Sequence, residues 1–128
     1  MSTINEPTLD DCVGACPSDH RLFAVWAIDR EGALAARLRV RESHRRRLRE
    51  PTPHALRVVL AGPLLDCPAG TMIGTLLVVE AESLAAVRAF VADDPYVQAG
   101  VYEHVDVRAF NCGLGPLAAS LPERLDGK

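Results

Sequence analysis

The sequence predicts an α+β fold in which two helices cover one face of a four-stranded antiparallel sheet. Segments of strand composition and segments of helical periodicity follow one another in the order strand, helix, strand, strand, helix, strand. Gly, Pro or Asp marks most of the boundaries between them. With 128 residues, 48% of them hydrophobic, the chain is long enough for one domain with one core. The order is that of the ferredoxin-like βαββαβ plan.

The first two elements are a strand and a helix. Leu22 to Ile28 is a short apolar segment that favours a strand, and Asp29 to Gly32 ends it with turn residues. From Ala33 to Glu50 the chain has no Gly or Pro, and apolar residues recur at helical spacing until Pro51. The apolar residues that define this helix are Leu34, Leu38 and Val40.

A hairpin, a second helix and a last strand follow. Leu56 to Leu60 and Thr75 to Val79 have strand composition, and the first is expected to end at Ala61-Gly62-Pro63. Ser83 is a suitable N-cap for a helix over Leu84 to Ala92, which Asp94-Pro95 ends. Val101 to Phe110 alternates between apolar and polar residues, as a strand with one buried face does.

The first strand is apolar on both faces, so the sheet face away from the helices is also expected to be buried. A second copy of the chain is the simplest cover, which predicts a homodimer with two sheets packed face to face. We expect an N-terminal extension over residues 1–20, the α+β domain over 21–111 and a C-terminal tail over 112–128.

Composition argues against several classes of protein. No segment approaches the roughly 20 apolar residues of a membrane span, and the N-terminus lacks the pattern of a secretory signal, so we expect a cytoplasmic protein. The four cysteines (Cys12, Cys16, Cys67 and Cys112) are then expected to be free thiols. Cys12, Cys16 and His20 have a spacing that would suit a metal on a helix, but Gly14 and Pro17 interrupt such a helix. We expect neither a metal nor another cofactor, since no Gly-rich phosphate loop is present.

Seven arginines lie between Arg37 and Arg49, although the net charge of the chain is -3. The cluster lacks interleaved aromatic residues and any recognised nucleic-acid motif, so we do not expect nucleic-acid binding. A solvated, ion-paired helix face is the favoured interpretation of Arg45 to Arg49.

Three segments resemble the signature stretches of the YciI-like (YCII-related domain) family, in the same order: Arg37 to His44, Ala61 to Pro63, and Asp94 to Val105. The resemblance extends over roughly Leu22 to Phe110. It implies a dimeric α+β barrel with a pocket that contains a histidine and an aspartate, which by position are His44 and Asp94. The family resemblance also implies a precedent without a cofactor, the dehydrochlorination of a chlorinated hydroxyhydroquinone.

His44 and Asp94 are therefore the candidate catalytic residues. An imidazole can take and return protons near neutral pH, and a carboxylate bonded to its second nitrogen fixes its tautomer. Arg37, Arg41 and His44 lie at i, i+4 and i+7 on one helical face, so the arginines are candidates for binding an anionic or phenolate substrate. Tyr96 is a further candidate, through its hydroxyl group.

The expected function is that of a cofactor-independent acid/base enzyme acting on a small cyclic or aromatic metabolite, as a lyase, dehydrohalogenase, isomerase or cyclase. One alternative is a non-catalytic dimer that binds a small ligand or assists another enzyme of a pathway. The other is that His44 and Asp94 form a structural pair only. The sequence leaves these alternatives open.

Overall fold

The computed structural model describes residues 4–5, 21–50, 54 and 56–118. Its elements, in chain order, are β1 (Ile4–Asn5), β2 (Arg21–Asp29), α1 (Leu34–Arg49), β3 (Leu56–Leu65), β4 (Met72–Ala81), α2 (Leu84–Ala92), α3 (Pro95–Gln98) and β5 (Tyr102–Phe110). None of the described helices is long and apolar enough to cross a membrane.

The strands form one sheet in the order β1-β5-β2-β4-β3. The pairs β2–β4, β2–β5 and β3–β4 are antiparallel, and together with α1 and α2 they have the connectivity of the ferredoxin-like plan. The predicted α+β fold is therefore confirmed. The sequence did not predict β1, in which Ile4 and Asn5 add a short parallel pairing beside Val105 and Asp106 of β5.

The core lies between the sheet and the helices. Alternate residues of the strands point towards the helices, among them Phe23 and Val25 of β2 and Val105 and Val107 of β5, and all four are buried. From α2, the residues Leu84, Val87, Phe90 and Val91 are buried against them. Ser83 caps this helix as predicted, since its hydroxyl accepts a hydrogen bond from the backbone N–H of Ala86 at 3.1 Å.

The buried face of α1 differs from the apolar pattern in its sequence. Leu34 and Leu38 are 38% and 52% exposed, whereas the two buried residues of the helix are Arg37 and His44. Partly buried small and apolar residues (Ala36, Val40 and Leu48) accompany them against the core. The helix is thus rotated so that its polar stripe faces the sheet, because buried polar partners are available there.

The end predicted for the second strand at Ala61-Gly62-Pro63 is wrong; this strand is β3 in the structure. β3 continues to Leu65, and Pro63 pairs with Thr75 of β4. A proline fits here because β3 is at the edge of the sheet, where its missing N–H group removes no bond to a further strand. The register of β3 against β4 shifts at Val58/Leu60 and again at Leu64/Leu65.

The second face of the sheet has an apolar surface. Trp26 and Phe110 are 47% and 45% exposed, and Leu60 is also exposed. A shallow apolar cleft on this side is lined by Ala24, Val59, Leu60, Leu76, Val78, Phe110, Cys112 and Leu117. Cys67 and Cys112 are free thiols, while Cys12, Cys16 and His20 lie outside the described residues.

Candidate active site

His44 and Asp94 form a direct pair that is almost completely buried. His44 Nδ1 lies 2.8 Å from Asp94 Oδ1 and 2.9 Å from Oδ2. Because a carboxylate only accepts hydrogen bonds, Nδ1 is the nitrogen that carries the proton. His44 Nε2 has no hydrogen-bond partner within the part of the chain that the structure describes, and the residue lines a cleft. Nε2 is thus the nitrogen suited to proton transfer.

The local fold of the chain after α2 holds Asp94 in place. Asp94 is the N-cap of α3, and its Oδ1 accepts a hydrogen bond from the backbone N–H of Tyr96 at 2.8 Å. Pro95 follows at the first helical position, where its missing N–H group costs no hydrogen bond. The Asp-Pro-Tyr sequence therefore fixes the carboxylate and the Tyr96 ring together.

Arg47 lies behind the pair. Its Nη1 is 3.7 Å from Asp94 Oδ2, its Nη2 donates to the carbonyl oxygen of Phe90 at 2.6 Å, and its guanidinium lies 4.1 Å from the centre of the Phe90 ring. Burial lowers the pKa of Arg47, and the negative charge of Asp94 opposes that shift. The backbone and ring of Phe90 thus hold the Arg47 guanidinium beside the Asp94 carboxylate.

Tyr96 packs against both polar residues of α1. Its ring stacks on the His44 imidazole with the centres 3.9 Å apart, and the Arg37 guanidinium lies 4.4 Å from its centre. Burial raises the pKa of Tyr96, while the positive charges of Arg37 and Arg41 act in the opposite direction. The phenol is therefore held neutral, and its ring restricts the orientation of the imidazole.

Arg37 is 1% exposed and belongs to a buried polar network. Its Nε donates to Asp29 Oδ2 at 2.8 Å, and its Nη2 donates to Asp29 Oδ1 at 3.0 Å and to Thr75 Oγ1 at 2.8 Å. The Tyr102 hydroxyl donates to the same Thr75 oxygen at 2.8 Å. Burial alone would lower the pKa of Arg37, but the hydrogen bonds and charge of Asp29 outweigh it and the net shift is upwards.

These bonds leave Nη1 of Arg37 without a hydrogen-bond partner among the described residues. Arg37 does line the same cleft as His44, as its predicted role in substrate binding requires. Arg41 is more accessible: it is half-buried, it lines the cleft, and it has no ion-pair partner among the described residues. Of the two arginines, Arg41 is therefore the one with the more accessible side chain in the cleft.

The cleft has a volume of about 290 Å³. Ligand-binding pockets usually have volumes of about 300 Å³ or more, so this cleft lies at the lower end of their range. One wall is α1 and the other consists of small and apolar residues of β3 and β4. The lining residues are Arg37, Arg41, His44, Arg45, Leu48, Arg49, Val58, Ala61, Gly62, Pro63, Met72, Thr75 and Tyr96. The structure therefore brings four of the five predicted site residues to one cleft, with Asp94 behind His44.

Sequence reasoning missed the residues that support the site. Asp29 was interpreted only as a turn residue, and Thr75 and Tyr102 only as strand residues. Arg47 was assigned to a solvated helix face, but its side chain packs on Phe90. The spacing between Arg37 and His44 indicated that Arg37 belongs to the site, whereas nothing local in the sequence indicates that Arg37 pairs with Asp29.

Residues 21–111 match the model of the YCII-related domain. The chain belongs to the YCII-related family. Among its relatives, the protein YciI from Escherichia coli O6:H1 is 39% identical over 94 residues, which are 70% of this chain and 95% of the relative. An uncharacterized protein from Haemophilus influenzae is 36% identical over 94 residues, which are 69% of this chain and 94% of that protein.

A solved structure is similar to this chain in both fold and sequence. It is 5-chloro-2-hydroxyhydroquinone dehydrochlorinase (TftG) from Burkholderia phenoliruptrix AC1100, in complex with 2,5-dihydroxybenzoquinone. The TM-score is 0.64 and the sequence identity 31%, over 72% of this chain and 95% of that one. The fold of this chain is thus similar to that of this dehydrochlorinase.

Proposed function

We propose that this protein is a cofactor-independent acid/base enzyme that acts on a small cyclic or aromatic metabolite. The observation that supports this most is the buried His44–Asp94 pair, whose Nδ1 is held by both carboxylate oxygens while the ring borders a cleft. Asp94 is the orienting residue, His44 is the base, and Arg41 is the substrate anchor. Arg37 and Tyr96 border the substrate on the same side.

The reaction class follows from what these groups can do. Nε2 of His44 takes a proton from a hydroxyl group or a carbon atom, and Asp94 stabilises the imidazolium that forms. In an elimination such as loss of hydrogen chloride, the electron pair of the broken bond to hydrogen ends in a new double bond, and chloride leaves with the electrons of its bond to carbon. In an isomerisation, the same imidazolium returns the proton elsewhere. Neither reaction needs an oxidant or a metal.

The similar dehydrochlorinase supports a ring compound as the substrate, because its bound ligand is a dihydroxybenzoquinone. The cleft of about 290 Å³ suits a molecule of that size. The Arg41 guanidinium would stabilise the phenolate or enolate oxygen that forms when His44 removes a proton from the ring compound.

Binding is tested first, by NMR of ¹⁵N-labelled histidine in the wild type and in Asp94→Asn, with 2,5-dihydroxybenzoquinone as the probe. In the wild type we expect His44 to be the Nδ1–H tautomer, and the probe to shift its resonances. In Asp94→Asn the amide N–H₂ group can donate to Nδ1, so we expect the tautomer to change to Nε2–H. A probe that leaves the wild-type His44 signals unchanged contradicts the proposal.

Turnover is tested by chloride release from 5-chloro-2-hydroxyhydroquinone and from a panel of chlorinated phenols. His44→Gln should lower the rate on any accepted substrate by about 10²- to 10⁴-fold, the usual contribution of a general base. His54→Gln is the matched control, since His54 is bonded to Asp93 at 3.0 Å and does not line the cleft. Equal rates in the wild type and His44→Gln would remove His44 from the mechanism.

A non-catalytic function for the same cleft is the alternative, with this chain as a ligand-binding or accessory protein of a pathway. It is supported by Nε2 and Arg41, which can bind a ligand without transferring a proton. Ligand-induced shifts of His44 with no turnover across the panel are the result that this alternative predicts.

We also propose that the protein is a homodimer in which the apolar sheet face is covered by a second copy. The support is the group of exposed or half-exposed apolar residues on that face, including Trp26, Leu60 and Phe110. Light scattering should give twice the chain mass, and Leu76→Asp, placed in the apolar cleft of that face, should give the chain mass. A wild type with the mass of one chain contradicts this arrangement.

A further inference from the structure

The seven arginines of α1 do not form one surface. Arg37 and Arg47 are used inside the protein, where they contact Asp29 and Phe90 respectively. Arg39 and Arg46 are exposed and lie outside the cleft. The remaining three, which are Arg41, Arg45 and Arg49, line the cleft together with His44. Four-residue spacing gives them one helix face.

These three arginines extend past His44 in both directions along the helix. Each residue of an α-helix rises about 1.5 Å, so along the helix axis Arg41 lies about 4.5 Å before His44 and Arg49 about 7.5 Å after it. Arg45 is the immediate neighbour of His44 in the sequence. The base therefore lies between one cationic position at Arg41 and a second at Arg45 and Arg49.

The second position has little compensating negative charge. No Asp or Glu residue is among the residues that line the cleft, and Arg45 has no ion-pair partner in the described ranges. Arg49 is 3.2 Å from Glu42, but both side chains are more than half exposed, and such a pair contributes little. Like charges four residues apart on a helix destabilise it. The arrangement is unfavourable for folding and favourable for binding an anion.

We propose that Arg45 and Arg49 form a second anion subsite, so that the substrate is a ring compound with a carboxylate or phosphate substituent as well as its reacting hydroxyl group. This inference rests on the proposed function, because it takes the ring and its hydroxyl group to lie between Arg41 and His44. The anionic substituent then points along α1 towards Arg49. The opposite wall, with Pro63 and Met72, offers apolar contact to the ring.

The experiment measures dissociation constants by NMR titration for phenol, 3-(4-hydroxyphenyl)propanoate, its methyl ester and 4-hydroxyphenyl phosphate. In the wild type, the carboxylate or the phosphate compound should bind about tenfold more tightly than the ester, as hydrogen bonds to charged groups allow. Whichever anion shows this preference identifies the substituent. The double variant Arg45→Gln/Arg49→Gln should lose the preference and bind the ester as the wild type does.

Arg39→Gln/Arg46→Gln is the matched control, because it removes two positive charges from the same helix outside the cleft. It should keep the preference for the anionic compound. Equal binding of the anions and the ester in the wild type, or equal losses in the two double variants, overturns the second subsite. If in addition phenol still shifts the His44 resonances, the proposed function stands without the subsite. Tight anion binding that leaves His44 unperturbed and depends on Arg45 and Arg49 supports the subsite and contradicts the proposed function.

Discussion

The two long helices pack on the same face of the sheet but bury opposite kinds of residue. α2 buries four apolar side chains (Leu84, Val87, Phe90 and Val91). α1 buries Arg37 and His44, and leaves Leu34 and Leu38 exposed. An apolar side chain is stabilised by leaving water, whereas a buried charge or imidazole requires partners that are already in place. The α2 half of the domain thus provides stability, and the α1 half provides chemical groups.

The polar half depends on the strands beneath it. Asp29 of β2 and Thr75 of β4 bond Arg37, and Asp94, just before α3, bonds His44. These partners come from three separate parts of the chain, and each one satisfies a buried group that would otherwise be costly. A site of this kind can be damaged by removing one partner alone, more than by removing the pair.

The largest change in stability is expected for Arg37→Met. It leaves the Asp29 carboxylate buried without its partner, so the free energy of unfolding should fall by about 3–5 kcal/mol. The side chains of Arg37 and Asp29 are 2% and 6% exposed, so water cannot replace Arg37 as the hydrogen-bond partner of Asp29. Urea unfolding followed by circular dichroism measures it.

The double variant Arg37→Met/Asp29→Leu is the control for that prediction. It removes both charges, so it should be more stable than Arg37→Met alone. If the double variant loses as much unfolding free energy as its two single variants lose together, the Arg37–Asp29 pair is not the source of the effect.

A smaller loss, about 2–4 kcal/mol, is expected for Leu84→Ala in α2. Leu84 is 7% exposed and lies at the start of the helix, outside the cleft. At a temperature where this variant remains folded, its ligand dissociation constant should equal that of the wild type. If Leu84→Ala is folded but binds the ligand more weakly than the wild type does, then α2 contributes to ligand binding as well as to stability.

The smallest effect is expected for Tyr102→Phe, and it depends on pH. The hydroxyl group bonds Thr75, so its loss should lower the free energy of unfolding by about 1 kcal/mol at neutral pH. Burial raises the pKa of Tyr102 well above its usual value of about 10. The folded protein then keeps the phenol proton above pH 10 while the unfolded chain releases it, so the wild type loses stability as pH rises through that range.

Tyr102→Phe lacks this group, so its stability should fall less steeply above pH 10 and the difference between the two proteins should shrink. Urea midpoints at pH 8 and at pH 10.5 measure it. A constant difference across that range contradicts the pKa shift. Tyr96 has a raised pKa too, which leaves part of the alkaline loss in the variant.

Most of the fold could be predicted from local patterns. Ser83, the apolar stripe of α2 and the Asp94-Pro95 break are local signals, and each has the predicted role. The continuation of β3 through Pro63 could not be predicted, because the residue itself does not show whether its strand is at an edge. The orientation of α1 was missed because its exposed leucines suggest a face that the core does not use.

The candidate site could likewise be predicted only in part. The resemblance to a family led to His44 and Asp94, which the structure places in direct contact although they are 50 residues apart in the chain. The partners of Arg37 and the packing of Arg47 were not predictable, because they depend on which strands are neighbours and on how far α1 is rotated. Long side chains with several donors leave many pairings open until the backbone is known.

The edge strand β3 has a consequence for how the protein associates. Pro63 interrupts the row of N–H groups on the outer side of β3, where another chain would pair, and the register of β3 against β4 shifts twice. The strand is therefore a poor template for strand addition by another chain. The opposite edge of the antiparallel sheet, at β5, is occupied in part by Ile4–Asn5. Growth of the sheet sideways into filaments is therefore disfavoured at both described edges, and the dimer proposed through the apolar face would be a closed pair.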